Sequence, residues 1–278
     1  MDLNWFESVL YGLFSGLMDI LPVSAQAHRA LLLKFFGIRG NENLLHLLIH
    51  FGVAAALYYS SQTHLLRMNR ARSLARIPKN KRKRPLDTHS LMDLSLLKTM
   101  VIPGIIGLYF HQRAAVVNSN LVFVALFLFL NGIILYIPQF FPTGNRDSRS
   151  LSRVEGLLMG FGGAVSVIPG ISAIATATAI GSVCGVEKMF NLNMAILMNL
   201  FLNVGLMVLD IMGILNAGLG TISAFILARY LVAAVAAFCG TVVGIKIMRR
   251  FAAEYGFSAF GVYCWGLALF IFILNLMA

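Results

Sequence analysis

The chain has 278 residues, 59% of them hydrophobic and 12% charged, with a mean hydropathy of +0.81. Soluble domains carry about a quarter charged residues, so this composition excludes an ordinary soluble fold and calls for a bilayer. The net charge of +11 raises nucleic acid or anionic lipid as partners, but nine of the 22 Lys and Arg lie in one segment, Arg67–Arg84, between two apolar runs. That placement is the topology signal that keeps basic loops in the cytoplasm; it sets nucleic acid aside and leaves anionic headgroups as partners of this loop.

In chain order, the start does not read as a cleavable signal peptide, because Asp2 and Glu7 stand where a basic region belongs. The segment 5–37 is apolar yet broken by Pro22 and small polar residues. Three spans are expected next, at about residues 43–62, 93–112 and 121–141, with the basic loop 63–92 between the first two. A second broken apolar segment, 154–186, precedes three more spans at about residues 190–215, 221–247 and 255–277. Cys184, Cys239 and Cys264 sit in apolar context without CxxC spacing, so they read as packing residues.

The two broken segments resemble each other. Gly16-Leu17-Met18-Asp19-Ile20-Leu21-Pro22 is followed by Ser24, and Gly163-Ala164-Val165-Ser166-Val167-Ile168-Pro169 by Ser172. Proline breaks a helix, and broken backbone at membrane depth survives only inside protein or beside a water-filled cavity. The expected fold is therefore an all-α integral membrane protein of about six transmembrane helices plus two re-entrant hairpins. Residues 1–141 and 142–278 would form an inverted 3+3 repeat, with the broken helices meeting at the midplane. Arg146, Arg149 and Arg153, and later Lys246, Arg249 and Arg250, would join the basic loop inside, with both termini outside and Arg113 in an outer turn.

The first hairpin reads SGLMDILPVSAQAH. Asp19 is an ionisable group in an apolar hairpin, which is costly unless paired or functional. Ser24, Gln26 and His28 follow the break, where freed N–H groups of a new helix favour phosphate; Ser24 reads equally as a plain N-cap. In the second hairpin, Pro169-Gly170 forces a turn, and Ser172, Thr176 and Thr178 serve either small-residue packing or a ligand. His46 and His50 share a helix face but make a poor metal site without a carboxylate. Asp210 and Arg229 lie in adjacent expected spans and are expected to pair across them.

GLMDILPVSAQAH, LLIHFGVAAAL, VIPGIIG and GFGGAVSVIPGIS followed by ATATAIG occur in this order and resemble the undecaprenyl-diphosphate phosphatase, or bacitracin-resistance, family over most of the chain. The resemblance implies removal of the terminal phosphate from undecaprenyl diphosphate in a bacterial plasma membrane, using an acidic pair four residues apart, a Ser and a His after the first proline, and a PGxSRSG motif. Carried over, it makes Asp19, Ser24, His28 and Ser172 candidate catalytic residues, and Gln26, Arg29, His50, Gly170 and Thr176 candidate substrate contacts. Asp19 is also a candidate ligand for Mg²⁺ or Ca²⁺, and a second copy of the chain a candidate partner. The sequence departs from that pattern at Ser15 (the first acid), Gly163 (a glutamine), Ala25 and Ile174 (serines), Ala173 (the phosphate-holding arginine) and Tyr263-Cys264 (a Tyr-Arg pair). Alanine cannot grip phosphate as arginine does, so these losses argue against efficient hydrolysis. Arg29 is the nearest candidate to restore the positive charge. Two readings stay open: a divergent lipid diphosphate phosphatase, and a non-hydrolytic binder or translocase of a polyprenyl phosphate.

Overall fold

A computed structural model of the chain describes residues 3–37, 43–114, 120–218 and 222–277. Regular structure among them is helical, apart from one isolated bridge between Arg146 and Val186. In chain order the helices are α1 (Trp5–Ile20), α2 (Ala25–Phe35), α3 (Asn43–Ala75), α4 (Thr88–Tyr109), α5 (His111–Ala114), α6 (Leu121–Tyr136), α7 (Arg153–Val165), α8 (Ala173–Val183), α9 (Lys188–Ala217), α10 (Ala224–Glu254) and α11 (Ser258–Met277). Six of them, α3, α4, α6 with its following 3-10 turn, α9, α10 and α11, are long and apolar enough to cross a membrane. Large apolar side chains such as Phe123, Leu126, Phe129, Leu269 and Phe270 are exposed on the outside of the bundle, where lipid rather than water satisfies them. The protein is an all-α, multi-pass integral membrane protein.

Helix boundaries follow local chemistry. Asn4 caps α1 in a reciprocal box with Glu7, and Ser152 caps α7 in the same way with Glu155. The helix α3 runs to Ala75, well past the expected end at residue 62, and α4 begins at Thr88 rather than near 93. Met, Arg, Leu and Ala favour a helix, and no proline interrupts RMNRARSLA until Pro78. The basic segment is thus first a helix extending beyond the apolar span and then a short loop. Likewise α10 continues to Glu254. The expected outer turn at 113–120 falls largely outside the described residues, and with it the side chain of Arg113.

Glycines set how the helices pack. On α1, Gly12 and Gly16 lie against the carbonyls of Ala233 and Ala237 on α10, too close for any Cβ. Gly160 of α7 lies in the same way against Met100 of α4, and Gly107 of α4 against Ala164 of α7. Close backbone approach of this kind maximises dispersion contact where no hydrophobic effect drives helices together. A further contact of this type is between α6 and α11, where Gly261 approaches the Gly132 carbonyl and the Trp265 indole donates to the Phe129 carbonyl at 3.1 Å. The helices α3 and α9 pack on each other at the centre.

The expected Asp210–Arg229 pair does not form. Asp210 Oδ2 lies 2.7 Å from His50 Nδ1, whereas the Arg229 guanidinium donates to the Leu3 carbonyl at 3.1 Å and sits over the Trp5 ring. Adjacency of two helices in sequence does not fix which faces meet: Asp210 faces α3, and Arg229 faces the start of α1.

Candidate functional site

Two helix breaks meet at the centre of the molecule. Between α1 and α2, Leu21 is extended and Ser24 adopts φ +63°, an uncommon conformation for a side-chain-bearing residue. Such backbone costs about 1–3 kcal/mol and persists only where its surroundings hold it. Here the Ser24 hydroxyl accepts from the N–H of Gly170 at 3.0 Å, in the break between α7 and α8, and also faces the Ala27 N–H as the cap of α2. Gly170 has φ +108°, and a Cβ there would fall 2.7 Å from that of Phe127.

Breaks in apolar surroundings leave backbone groups that must find partners. The fully buried Asn131 of α6 serves both: its Nδ2 donates to the Pro22 carbonyl at 2.8 Å, and its Oδ1 accepts from the Ser172 N–H at 2.9 Å. Gln26 Nε2 adds a bond to the Ser166 carbonyl at 3.2 Å.

Beside this junction lies a pocket walled by Asp19, Gln26, Arg29, His111, Ser172 and Asn199, together with Ala25, Ala173 and apolar residues. The structure thus brings Asp19, Gln26, Arg29 and Ser172 to one cavity, with the Ala173 position beside them. Asp19 Oδ2 accepts from Asn199 Nδ2 at 2.7 Å and Asn203 Nδ2 at 3.1 Å. Asp19 Oδ1 has no hydrogen-bond partner among the described residues. A divalent ion needs about six oxygens, and Mg²⁺ commonly takes one or two carboxylates plus substrate phosphates. No three His, Cys, Asp or Glu side chains gather to hold a metal among the described residues. Asp19 Oδ1 therefore fits a Mg²⁺ or Ca²⁺ that arrives with a phosphate group, not a preformed cage.

Arg29 is buried, and its Nη1 lies 2.8 Å from His50 Nε2. A guanidinium only donates, so Nε2 accepts and Nδ1 carries the proton given to Asp210. This chain of three groups aims a fixed cation at the pocket, and His50 reaches the pocket only through it. His111, at the start of α5, has its Nδ1 buried without a hydrogen-bond partner among the described residues.

Other candidates lie outside the pocket wall. His28 turns the other way: its Nδ1 bonds the Ser24 carbonyl at 2.8 Å, and its Nε2 lies 2.9 Å from the Tyr263 hydroxyl, with the two rings stacked. Ser24 and Gly170 make the junction itself. The Thr176 hydroxyl donates to the Ser172 carbonyl one turn back, and the Ser172 hydroxyl caps α8 through Ala175 N–H. Ser15 is buried with its hydroxyl unpartnered among the described residues. Sequence reasoning missed Asn131, His111, Asn199 and Asn203. The i, i+4 amides of Asn199 and Asn203 inside an apolar span were the available signal, since buried amides there must bond something.

A family model described as "Bacitracin resistance protein BacA" matches residues 8–270. Curated relatives include the undecaprenyl-diphosphatase of Methanobrevibacter smithii, 25% identical over 272 residues and 96% of each chain. Undecaprenyl-diphosphatase 1 of Shouchella clausii is 26% identical over 277 residues, covering 98% of this chain and 96% of the relative. The Parabacteroides distasonis undecaprenyl-diphosphatase is 27% identical over 265 residues, 94% and 95% of the two chains. Identity is low but runs end to end, and the helix breaks that build the pocket fall inside the matched region: the chain belongs to the bacitracin resistance protein BacA family.

Proposed function

We propose that this protein is a phosphatase of undecaprenyl diphosphate or a closely related polyprenyl diphosphate, with its site in the pocket between the two helix breaks. The observation that carries this reading is the Arg29 guanidinium, which shares the pocket with Asp19, Ser172 and Ala173. It supplies from the first break the positive charge that the family resemblance expects at the Ala173 position. The pairs α1–α2 and α7–α8 are read as re-entrant hairpins of an inverted repeat. The packing supports this: α1 of the first half leans on α10 of the second, α7 of the second on α4 of the first, and α3–α9 and α6–α11 pair like with like. The cluster of Arg and Lys at one end of the bundle is read as cytoplasmic, with both chain ends at the opposite face.

Phosphoryl transfer depends on positioning and charge neutralisation. Arg29, held by His50 and Asp210, would grip the terminal phosphate, with Ser172 and Gln26 orienting it. Asp19, the only acid lining the pocket among the described residues, would take the proton of the attacking water as the new P–O bond forms. The bond from phosphorus to the bridging oxygen then breaks, and the polyprenyl phosphate leaves. A Mg²⁺ or Ca²⁺ bound at Asp19 Oδ1 would add charge neutralisation.

A second reading, binding or carrying a polyprenyl phosphate without hydrolysis, is favoured by one observation: His28 points to Tyr263, not into the pocket. Phosphate release from undecaprenyl diphosphate by purified protein separates the two. Under the phosphatase reading, Asp19→Ala and Arg29→Gln each lower turnover about 100- to 1000-fold, the usual effect of losing a preorganised transition-state group. Absence of turnover in the unaltered protein, with the lipid still bound, would establish the carrier reading instead.

A further inference from the structure

A second polar cavity of ≈ 420 Å³ lies at the opposite, basic end of the bundle, walled by α3, α4, α9 and α10. Its two carboxylates are already engaged. Asp87 accepts from the N–H and hydroxyl of Ser90 at 3.0 and 2.7 Å. The buried Asp93 carboxylate receives His64 Nε2 at 3.1 Å, faces His89 Nδ1 at 3.3 Å, and accepts the Ser148 hydroxyl. Five other polar side chains are not engaged. Arg67, Arg249, Ser61, Thr63 and Asn193 line the same cavity, and none has a hydrogen-bond partner among the described residues. A cavity whose carboxylates are already bonded, and which carries surplus donors, two of them guanidiniums, is complementary to an acceptor-rich anion.

We propose that this cavity is a binding site for a phosphate-type oxyanion of headgroup size, separate from the pocket of Asp19 and Arg29. Arg67 from α3 and Arg249 from α10 would hold the phosphate, with Ser61, Thr63 and Asn193 taking further oxygens. Such a group would tie α3, α4, α9 and α10 together at one end of the bundle. The same chemistry belongs to an anionic phospholipid headgroup and to a soluble phosphorylated compound.

The test is calorimetric titration of the full chain in detergent, carrying Arg29→Gln so that the first pocket lacks its cation. Dioctanoyl phosphatidylglycerol, glycerol 3-phosphate and inorganic phosphate are the probes. Saturable binding of at least one probe is expected, weakened at least tenfold by Arg67→Gln with Arg249→Gln and partly restored by lysine at both positions. Binding of the lipid alone assigns the headgroup; comparable binding of glycerol 3-phosphate assigns a soluble ligand. If the double variant lowers thermal stability, the exposed Arg249→Gln alone should still weaken binding several-fold. No saturable binding, or affinity unchanged by these variants, overturns the proposal. Neither outcome depends on whether the first pocket hydrolyses anything.

Discussion

The N–H of Gly170 donates to the hydroxyl of Ser24 across 3.0 Å, joining residues 146 positions apart in the chain. The bond forms because each break exposes one group the other satisfies, and because glycine alone lets the second break come this close. Gly170→Ala would place a methyl against Phe127 and the Leu128 N–H in a backbone conformation alanine disfavours. It should destabilise the protein by about 2–4 kcal/mol, measured as a lower unfolding midpoint in detergent. An unchanged midpoint would mean the breaks do not dock in this way.

Asn131 closes the same junction from the side. Asn131→Leu keeps volume but strands the Pro22 carbonyl and the Ser172 N–H in a buried setting. Each stranded group costs about 1–3 kcal/mol. Stability and phosphate release should both fall, while Asn131→Asp, which keeps the acceptor for Ser172, should fall less.

His111 and His28 make opposing predictions for proton handling. His111 lines the pocket with an open Nδ1, whereas both nitrogens of His28 are engaged outside it. His111→Gln should alter the pH profile of phosphate release. His28→Gln should act mainly on stability, through the lost bonds to Ser24 and Tyr263. The reverse result would place His28 at the reacting phosphate.

Asp147, in the loop before α7, carries an acid-sensitive contact. Its hydrogen bond with Arg149 pulls its carboxyl down to about 2, with the N–H of Arg149 and His89 adding to the effect. A carboxyl depressed in the folded state stabilises it above about pH 4, and that contribution disappears as pH falls through about 2. Exposed pairs contribute little. Asp147→Asn should therefore shrink the drop in unfolding midpoint between pH 4 and pH 2 by only about 1–2 °C.

Much of the fold was legible because membranes impose long apolar runs and proline breaks them. The breaks at Pro22 and after Pro169 stood out for that reason. The length of α3 was not legible from hydropathy, since its last turns are basic but still good helix. In the site, Asp19, Arg29 and Ser172 announced themselves as polar groups beside a break. Asn131 did not, because a lone amide in an apolar helix gives no hint of its partner, and the Asn199/Asn203 pair signals only that a bond must form, not that Asp19 receives it. The Asp210–Arg229 expectation failed on the same point: charge complementarity names possible partners, but helix rotation selects His50 for one and the Leu3 carbonyl for the other.

The glycine seams have a mechanical consequence. Since α1 is locked backbone-to-backbone onto α10, and α7 onto α4, each half of the chain holds a piece of the other. Neither half can be removed, or expressed alone, without exposing a groove shaped for a missing helix.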